Sequence, residues 1–328
     1  MRVFDLSQPV PGDVSLTSML VYTTVDAELS VVRGHVPAAV PLFGATSYHG
    51  VLVPQGFKRG AWGLGFEPHD DLAVDHVLVE TNAHAARRDT AHAAAKMEER
   101  LGRPDAVLVH ATPGFEERVV EGLAQAGWAS SMLVFGGTAA DDDLDGRWCV
   151  FDRDRSHGFG PEHSDEGVLL IAMRTKRPMH GGFVSGYMGT RKTGTVTRCA
   201  GRTIHAIDDR PAGEVLDEWM GGALKSARVN GGVVLSETSL SPIGRLIEDN
   251  AWGKRYLLSH PHEVHPDTDS VSFFTEFSVG EEIEQMMGTR SSLVSHAREV
   301  VARALPRVDA PQVRGGAAVY CGPSLVTV

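Results

Sequence analysis

Two glycine-rich turns, and the aspartates that follow one of them, are the residues here whose types and spacing could do chemistry. Phe135-Gly136-Gly137-Thr138-Ala139-Ala140-Asp141-Asp142-Asp143 closes one apolar run, and Gly44-Ala45-Thr46-Ser47-Tyr48-His49-Gly50 closes another. Ligands of α/β proteins bind outside the carboxyl ends of strands, where glycine lets them approach exposed backbone N–H groups. Such groups at Gly44, Gly136 and Gly137, beside Thr46, Ser47, His49 and Thr138, could hold a carboxylate. Asp141 or Asp142 could pair with an ammonium. An amino acid meets both demands.

Other chemistries compete for the same residue types. Asp141, Asp143, Asp145, Gly146 and Asp152 reproduce much of a calcium-loop spacing. The flanking sequence reads as strands, whereas an EF-hand needs helices, so a solvated acidic turn fits better. His260, His262 and His265 offer three imidazoles, but Pro261 and Pro266 enforce an extended run that turns His265 away from the other two. Neither calcium nor zinc is expected. Cys321 ends an apolar run and could present a thiol over a pocket, although a cysteine is more often a small core residue. Walker A, G-x-G-x-x-G and G-x-S-x-G signatures are absent, which disfavours common nucleotide and hydrolase chemistry.

The elements that must position these turns form a repeat. Met19–Thr24, a helix-compatible Ala27–His35 and Val40–Thr46 resemble Ala106–Thr112, Phe115–Gln125 and Met132–Thr138. Each reads as strand, helix, strand, closing on Phe-Gly-Ala-Thr or Phe-Gly-Gly-Thr. Short apolar runs around an amphipathic helix predict buried parallel strands joined by a crossover, an internal βαβ duplication. Ala61–Phe66, Leu72–Val79, Trp148–Phe151 and Val168–Met173 read as further strands, and Ala83–Leu101 as a helix connecting the two repeats. Beyond a boundary near Arg177-Pro178, a hairpin turns at Ala200-Gly201-Arg202 and a helix starts at Pro211. Val271–Phe277 and Ala317–Cys321 read as strands, and Ser291–Leu305 as a helix with Leu293, Ala297, Val300, Val301 and Ala304 on one face. The fold class is α/β, with α+β open: two layered domains, 1–177 and 178–328, of mixed sheets flanked by helices.

Composition narrows the function. Among 328 residues, 31 are Lys or Arg and 42 are Asp or Glu, a net charge of −11 with no basic run, which argues against nucleic acid. No apolar stretch nears the roughly 18–20 residues that span a bilayer, so no membrane partner is expected. Met1-Arg2-Val3-Phe4-Asp5 lacks the order of a secretion signal. Three cysteines, Cys149, Cys199 and Cys321, fit a reducing cytoplasm.

With these residues in view, the chain resembles the FIST family, bacterial sensory modules with N-terminal and C-terminal parts. Pro41–Ser47, Val134–Asp142 and Gly201–Asp208 carry the resemblance, with Pro211-Ala212, Glu214-Val215-Leu216, Trp219, His260-Pro261, Phe274–Gly280 and Gly316–Gly322. The C-terminal match is short at its end, and Ser324 stands where some relatives carry a second cysteine. The resemblance implies a small-ligand sensor, with amino acids as the proposed ligands, and adds Arg202 and Cys321 as second-domain site residues. It implies signalling to kinases, cyclases or chemoreceptors, here through a separate partner. A haem-bound nitric oxide sensor is the alternative, its axial ligand among His49, His205, His260 and Cys321. An enzyme using Cys321, or an Asp–His pair, ranks third. An open final strand would favour a homodimer.

Overall fold

The computed structural model describes residues 1–69, 71–143, 145–158, 166–250, 253–305, 313 and 315–319. The chain divides into two compact units, the first built on Met1–His180 and the second on Gly181–Arg307. In the first unit, β1 (Arg2–Asp5), β2 (Ser18–Thr23), α1 (Leu29–His35) and β3 (Leu42–Thr46) precede a small hairpin, β4 (Val51–Val53) with β5 (Gly56–Lys58), and then β6 (Ala61–Phe66). There follow β7 (Leu72–Thr81), α2 (Ala86–Leu101), β8 (Ala106–Ala111), α3 (Glu116–Gln125) and β9 (Leu133–Thr138). The unit continues with β10 (Val150–Asp152), β11 (Ser156–His157) and β12 (Glu166–Thr175).

The duplication is realised as two sheets of like topology. One runs β1-β6-β2-β3-β10-β11 and the other β7-β12-β8-β9. In each, the two strands of the βαβ repeat pair in parallel while their other neighbours are antiparallel. Alternation along the strands builds the layers. Met19 and Val21 pack with Val32 and Val36 beneath α1, whereas Leu20, Phe43 and Val150 point the other way and meet Leu108, Leu169 and Ile171 of the second sheet. Each such side chain contributes about 2 kcal/mol on leaving water.

The helix Ala83–Leu101, expected to link the repeats, begins at Ala86 and covers the second sheet beside α3. Its alanines permit that approach. A Cβ at Gly122 would stand 2.5 Å from the Arg87 carbonyl, so small residues are required on both helices.

The second unit holds β13 (Met188–Ala200), β14 (Thr203–Ile207), β15 (Arg210–Pro211), α4 (Ala212–Trp219), α5 (Lys225–Asn230), β16 (Gly232–Val233) and α6 (Leu235–Thr238). It ends with β17 (Ile243–Asn250), β18 (Gly253–Ser259), β19 (Pro261–His265), β20 (Ser270–Phe273), β21 (Glu282–Met287) and α7 (Arg290–Ala304). Its strands form one long sheet, β16-β19-β20-β14-β13-β21-β17-β18, with β15 beside β14. Val196, Ile204, Val215, Leu216, Val271 and Phe273 share its core. The hairpin turn falls at Gly201-Arg202, and Pro211 immediately precedes α4. Three expectations change. The strand expected over Val271–Phe277 stops at Phe273. Helix α7, apolar on one face by spacing, buries only Leu293 among its residues. Ala317–Val319 pair with no strand among the described residues, which exclude Tyr320 and Cys321.

Candidate functional site

Parallel pairing within the first unit sets the geometry. Thr23 stands opposite Thr46 at the end of one repeat and Ala111 opposite Thr138 at the end of the other. The chain leaving β9 crosses directly to the end of β3. Ala140 N–H donates to Thr46 O at 3.1 Å and Thr46 N–H to Cys149 O at 2.9 Å, while Thr46 Oγ1 accepts from Cys149 N–H at 3.0 Å. The two glycine-rich segments are therefore tied at Thr46.

Charge gathers beyond this junction. Asp142 Oδ1 accepts from His49 N–H at 2.8 Å and lies 3.3 Å from His49 Nδ1, while Oδ2 takes Arg59 Nη2 at 2.9 Å. Arg59 Nη2 also meets Asp26 Oδ1 at 3.0 Å. An acid–base–acid line, Asp26–Arg59–Asp142, thus bridges loops after β2, β5 and β9, and His49 adds the loop after β3. Burial works against the charge on Asp142, but the Arg59 guanidinium and the His49 N–H outweigh it and hold the carboxyl below its ordinary range. Asp26 is likewise lowered, chiefly by the Thr24 hydroxyl and, against some burial, by Arg59. Tyr48 packs against His49 with ring centres 4.1 Å apart, its phenol raised by burial and by Asp142 and Asp143.

Behind the junction lies a buried polar pair. Tyr22 Oη and His110 Nε2 are 2.8 Å apart, and His110 Nδ1 is 2.9 Å from Gly137 O. A carbonyl only accepts, so Nδ1 carries the proton and Nε2 accepts from the tyrosine hydroxyl. Burial depresses His110 to about 4 and raises the Tyr22 phenol, so both are neutral at physiological pH. Tyr22 faces Ala45 in one repeat as His110 faces Gly137 in the other. Equivalent positions of the duplication therefore meet across the two sheets.

The residues expected to line a cleft divide accordingly. His49, Asp142, Gly137 and Thr138 are at least partly exposed around the junction. Ser47 donates its hydroxyl to Gly50 O at 2.6 Å and shapes its own turn. Gly44 and Gly136 lie inside strands, because a Cβ at either would come 1.7 or 1.9 Å from the carbonyl oxygen of Val21 or Val109. Their glycines answer a close backbone approach, and Gly44 is buried. Thr46 is buried in the tie just described. Asp141 is buried too, its Oδ2 accepting Arg147 N–H at 3.0 Å, so it orders the turn. Asp143 and Asp145 pair with the Arg147 guanidinium at 3.1 and 3.8 Å. Among the described residues no His, Cys, Asp and Glu cluster is placed to hold a metal ion. Arg202 belongs to the second unit, and Cys321 falls outside the described residues. Burial pushes the Cys149 thiol up to about 12, and Cys199 is also raised, so neither supplies a ready thiolate.

Sequence reading missed Arg59, Asp26, Tyr22 and His110. The last two were within reach, since aligning Leu20-Val21-Tyr22 with Leu108-Val109-His110 sets a tyrosine against a histidine at one polar position in otherwise apolar strands. Arg59 carries no local signal.

The second unit has an apolar cleft of about 400 Å³ lined by Phe183, Tyr187, Ile247, Tyr256, Leu257, Leu258 and His260. Here the haem alternative meets its test. His260 is buried, its Nε2 lies 3.3 Å from both Ser239 O and Tyr187 Oη, and burial lowers it to about 4. That nitrogen is already engaged, so His260 as placed does not fit an axial ligand. His49 is committed to Asp142, and His205 sits half-buried on β14.

One family model, the FIST N domain, matches residues 17–210, more than half of the chain and past the division between the two units. No curated protein matches the chain significantly.

Proposed function

This chain belongs to the FIST family, which is linked to small-ligand sensing and signal transduction, and on that premise we propose that its first unit recognises a free amino acid at the junction of the two glycine-rich segments. The observation that carries the reading is the Asp26–Arg59–Asp142 line, which alternates charge as a zwitterion does. Arg59 receives the ligand carboxylate in a bidentate pair, and Asp142, with Asp26 beside it, receives the ammonium. Two intramolecular ion pairs on the half-exposed Arg59 are exchanged for two to the ligand, so the network opens at small cost. Gly137 and Thr138 lie on the β9 side of the junction, where the ligand side chain would be read. The response passes to a kinase, cyclase or chemoreceptor in the cytoplasm. No described helix is long and apolar enough to cross a membrane.

The test is thermal shift of the full chain against the twenty amino acids, followed by calorimetry on any that respond. Saturation at about a hundredfold over Kd stabilises by about 2.7 kcal/mol. Arg59→Gln and Asp142→Asn should each abolish that shift while the unliganded proteins melt within a few degrees of wild type. A panel without a response, or variants that respond as wild type does, would remove the assignment.

A further inference from the structure

The two repeats differ at one edge. β3 is flanked by β2 on one side and by antiparallel β10 on the other, whereas β9 ends its sheet with β8 as its only partner among the described residues. Leu133 N–H donates to Asp105 O and Ala139 N–H to Ala111 O, both toward β8. Backbone groups alternate sides along a strand, so Val134, Gly136 and Thr138 direct their N–H and C=O groups away from the sheet. The equivalent outward group in the first repeat, Thr46 N–H, is the one that donates to Cys149 O.

Exposed edges are ordinarily guarded by lysine, proline, an inward charge or a bulge. Leu133-Val134-Phe135-Gly136-Gly137-Thr138 has no charge and no proline, and its register with β8 is unbroken. Val319 approaches the place a Gly137 side chain would take, but that is a face of the sheet and not its edge.

We propose that β9 pairs antiparallel with β9 of a second copy of this chain, centred on Gly136, to form a two-fold dimer with a continuous eight-stranded sheet. The parity of the edge favours this occupant. Centring on Gly136 sets Val134 opposite Thr138 of the second copy and Gly136 opposite itself, so every outward residue falls in a hydrogen-bonded pair and three pairs give six hydrogen bonds. The intervening non-hydrogen-bonded pairs, where side chains come closest, set Phe135 of each copy opposite Gly137 of the other, so the large residue faces the small one. Charge is compatible despite the net −11. The same register puts the acidic turn after β9 beside Ser131 of the other copy, and Arg103 is anchored at Ser131 and at Gly127 O. The two acidic turns lie at opposite ends of the paired strands.

Sedimentation velocity of the full chain over a concentration series, with hydrogen exchange of the segment 131–139, tests the proposal. The expected result is a species of twice 35.3 kDa, with slowed exchange in this segment that is lost on dilution to monomer. Thr138→Pro removes an outward donor from each chain at an exposed position and should shift dissociation to at least tenfold higher concentration. A chain that stays monomeric, or a dimer whose 131–139 segment exchanges as in the monomer, overturns the proposal. So does a folded Thr138→Pro variant that dimerises as wild type does. Should that variant fail to fold, the dilution-dependent exchange of the wild-type segment decides alone.

Discussion

The halves of the first unit share an order of strands, a parallel pair with a glycine pressed against the neighbouring backbone, and a polar residue at the sheet interface. They part at the strand that closes each repeat. In the first half all five residues of β3 are buried, with β10 laid along the outer side. In the second half no described strand lies along the outer side of β9, and Gly137 and Thr138 reach solvent. One topology thus supplies a sealed scaffold and an accessible edge. The difference comes from where the chain goes next, since the segment after β9 crosses over to roof β3, and among the described residues no strand does the same for β9.

The glycines offer the largest perturbation of this contrast. A Cβ at Gly44 would meet the Val21 carbonyl at 1.7 Å and Phe151 at 3.0 Å, between strands held on both sides. Gly44→Ala should cost roughly 4 kcal/mol or more, because backbone cannot yield as a side-chain tip can. Gly136→Ala faces a like clash, 1.9 Å from Val109 O, with φ at +149°, but on an edge strand that can move outward. About half the loss is expected. Urea denaturation of the two variants checks the comparison, and equal losses would mean that the roof over β3 adds no rigidity.

The next effect concerns the pair where the halves meet. His110 is held near 4 in the fold against an ordinary 6.5, so the unfolded chain takes up its proton first as pH falls. The contribution is complete above about pH 6.5 and is lost progressively down to about pH 4, in total roughly 3 kcal/mol. His110→Gln keeps a donor for Gly137 O and an acceptor for Tyr22 but cannot titrate. Its stability between pH 7 and 4 should fall less steeply than wild type by about that amount. Parallel curves would show that the pair takes up its proton without opening. His260 in the second unit, also lowered to about 4, stays in both proteins and cancels in the difference.

Much of this architecture was legible in the sequence because short continuous apolar runs and their crossover helices are local patterns. Strands β2, β3, β8 and β9 fall within a residue or two of the expected spans. The glycines after Phe43 and Phe135 were also visible, but not their purpose. A sequence shows that glycine permits close approach without showing whether a ligand or a neighbouring strand approaches, and at Gly44 it is Val21. Asp141 and Asp142 look alike in sequence, yet one is buried against Arg147 N–H and the other bridges to Arg59. That distinction depends on a residue more than eighty positions away and on the crossing of the chain between sheets. The pairing of Tyr22 with His110 likewise needs the two sheets face to face.

The smallest effect expected is also the most discriminating about the candidate site. Arg59 is about half exposed, with a side-chain accessibility of 47%, and Asp142 is at 11%. A pair so placed is screened by water and salt, and Arg59→Gln should lower the stability of the unliganded protein by only about 0.5 kcal/mol, an amount that shrinks further in 1 M salt. The halves are held instead by the apolar contact between sheets and by the backbone bonds at Thr46, which the substitution does not touch. A loss above about 2 kcal/mol would recast Arg59 as a structural clasp and withdraw it from ligand recognition. A loss near 0.5 kcal/mol together with an abolished amino-acid response would place its role in binding, because a group that scarcely stabilises the empty protein but is required by the bound one acts through the ligand.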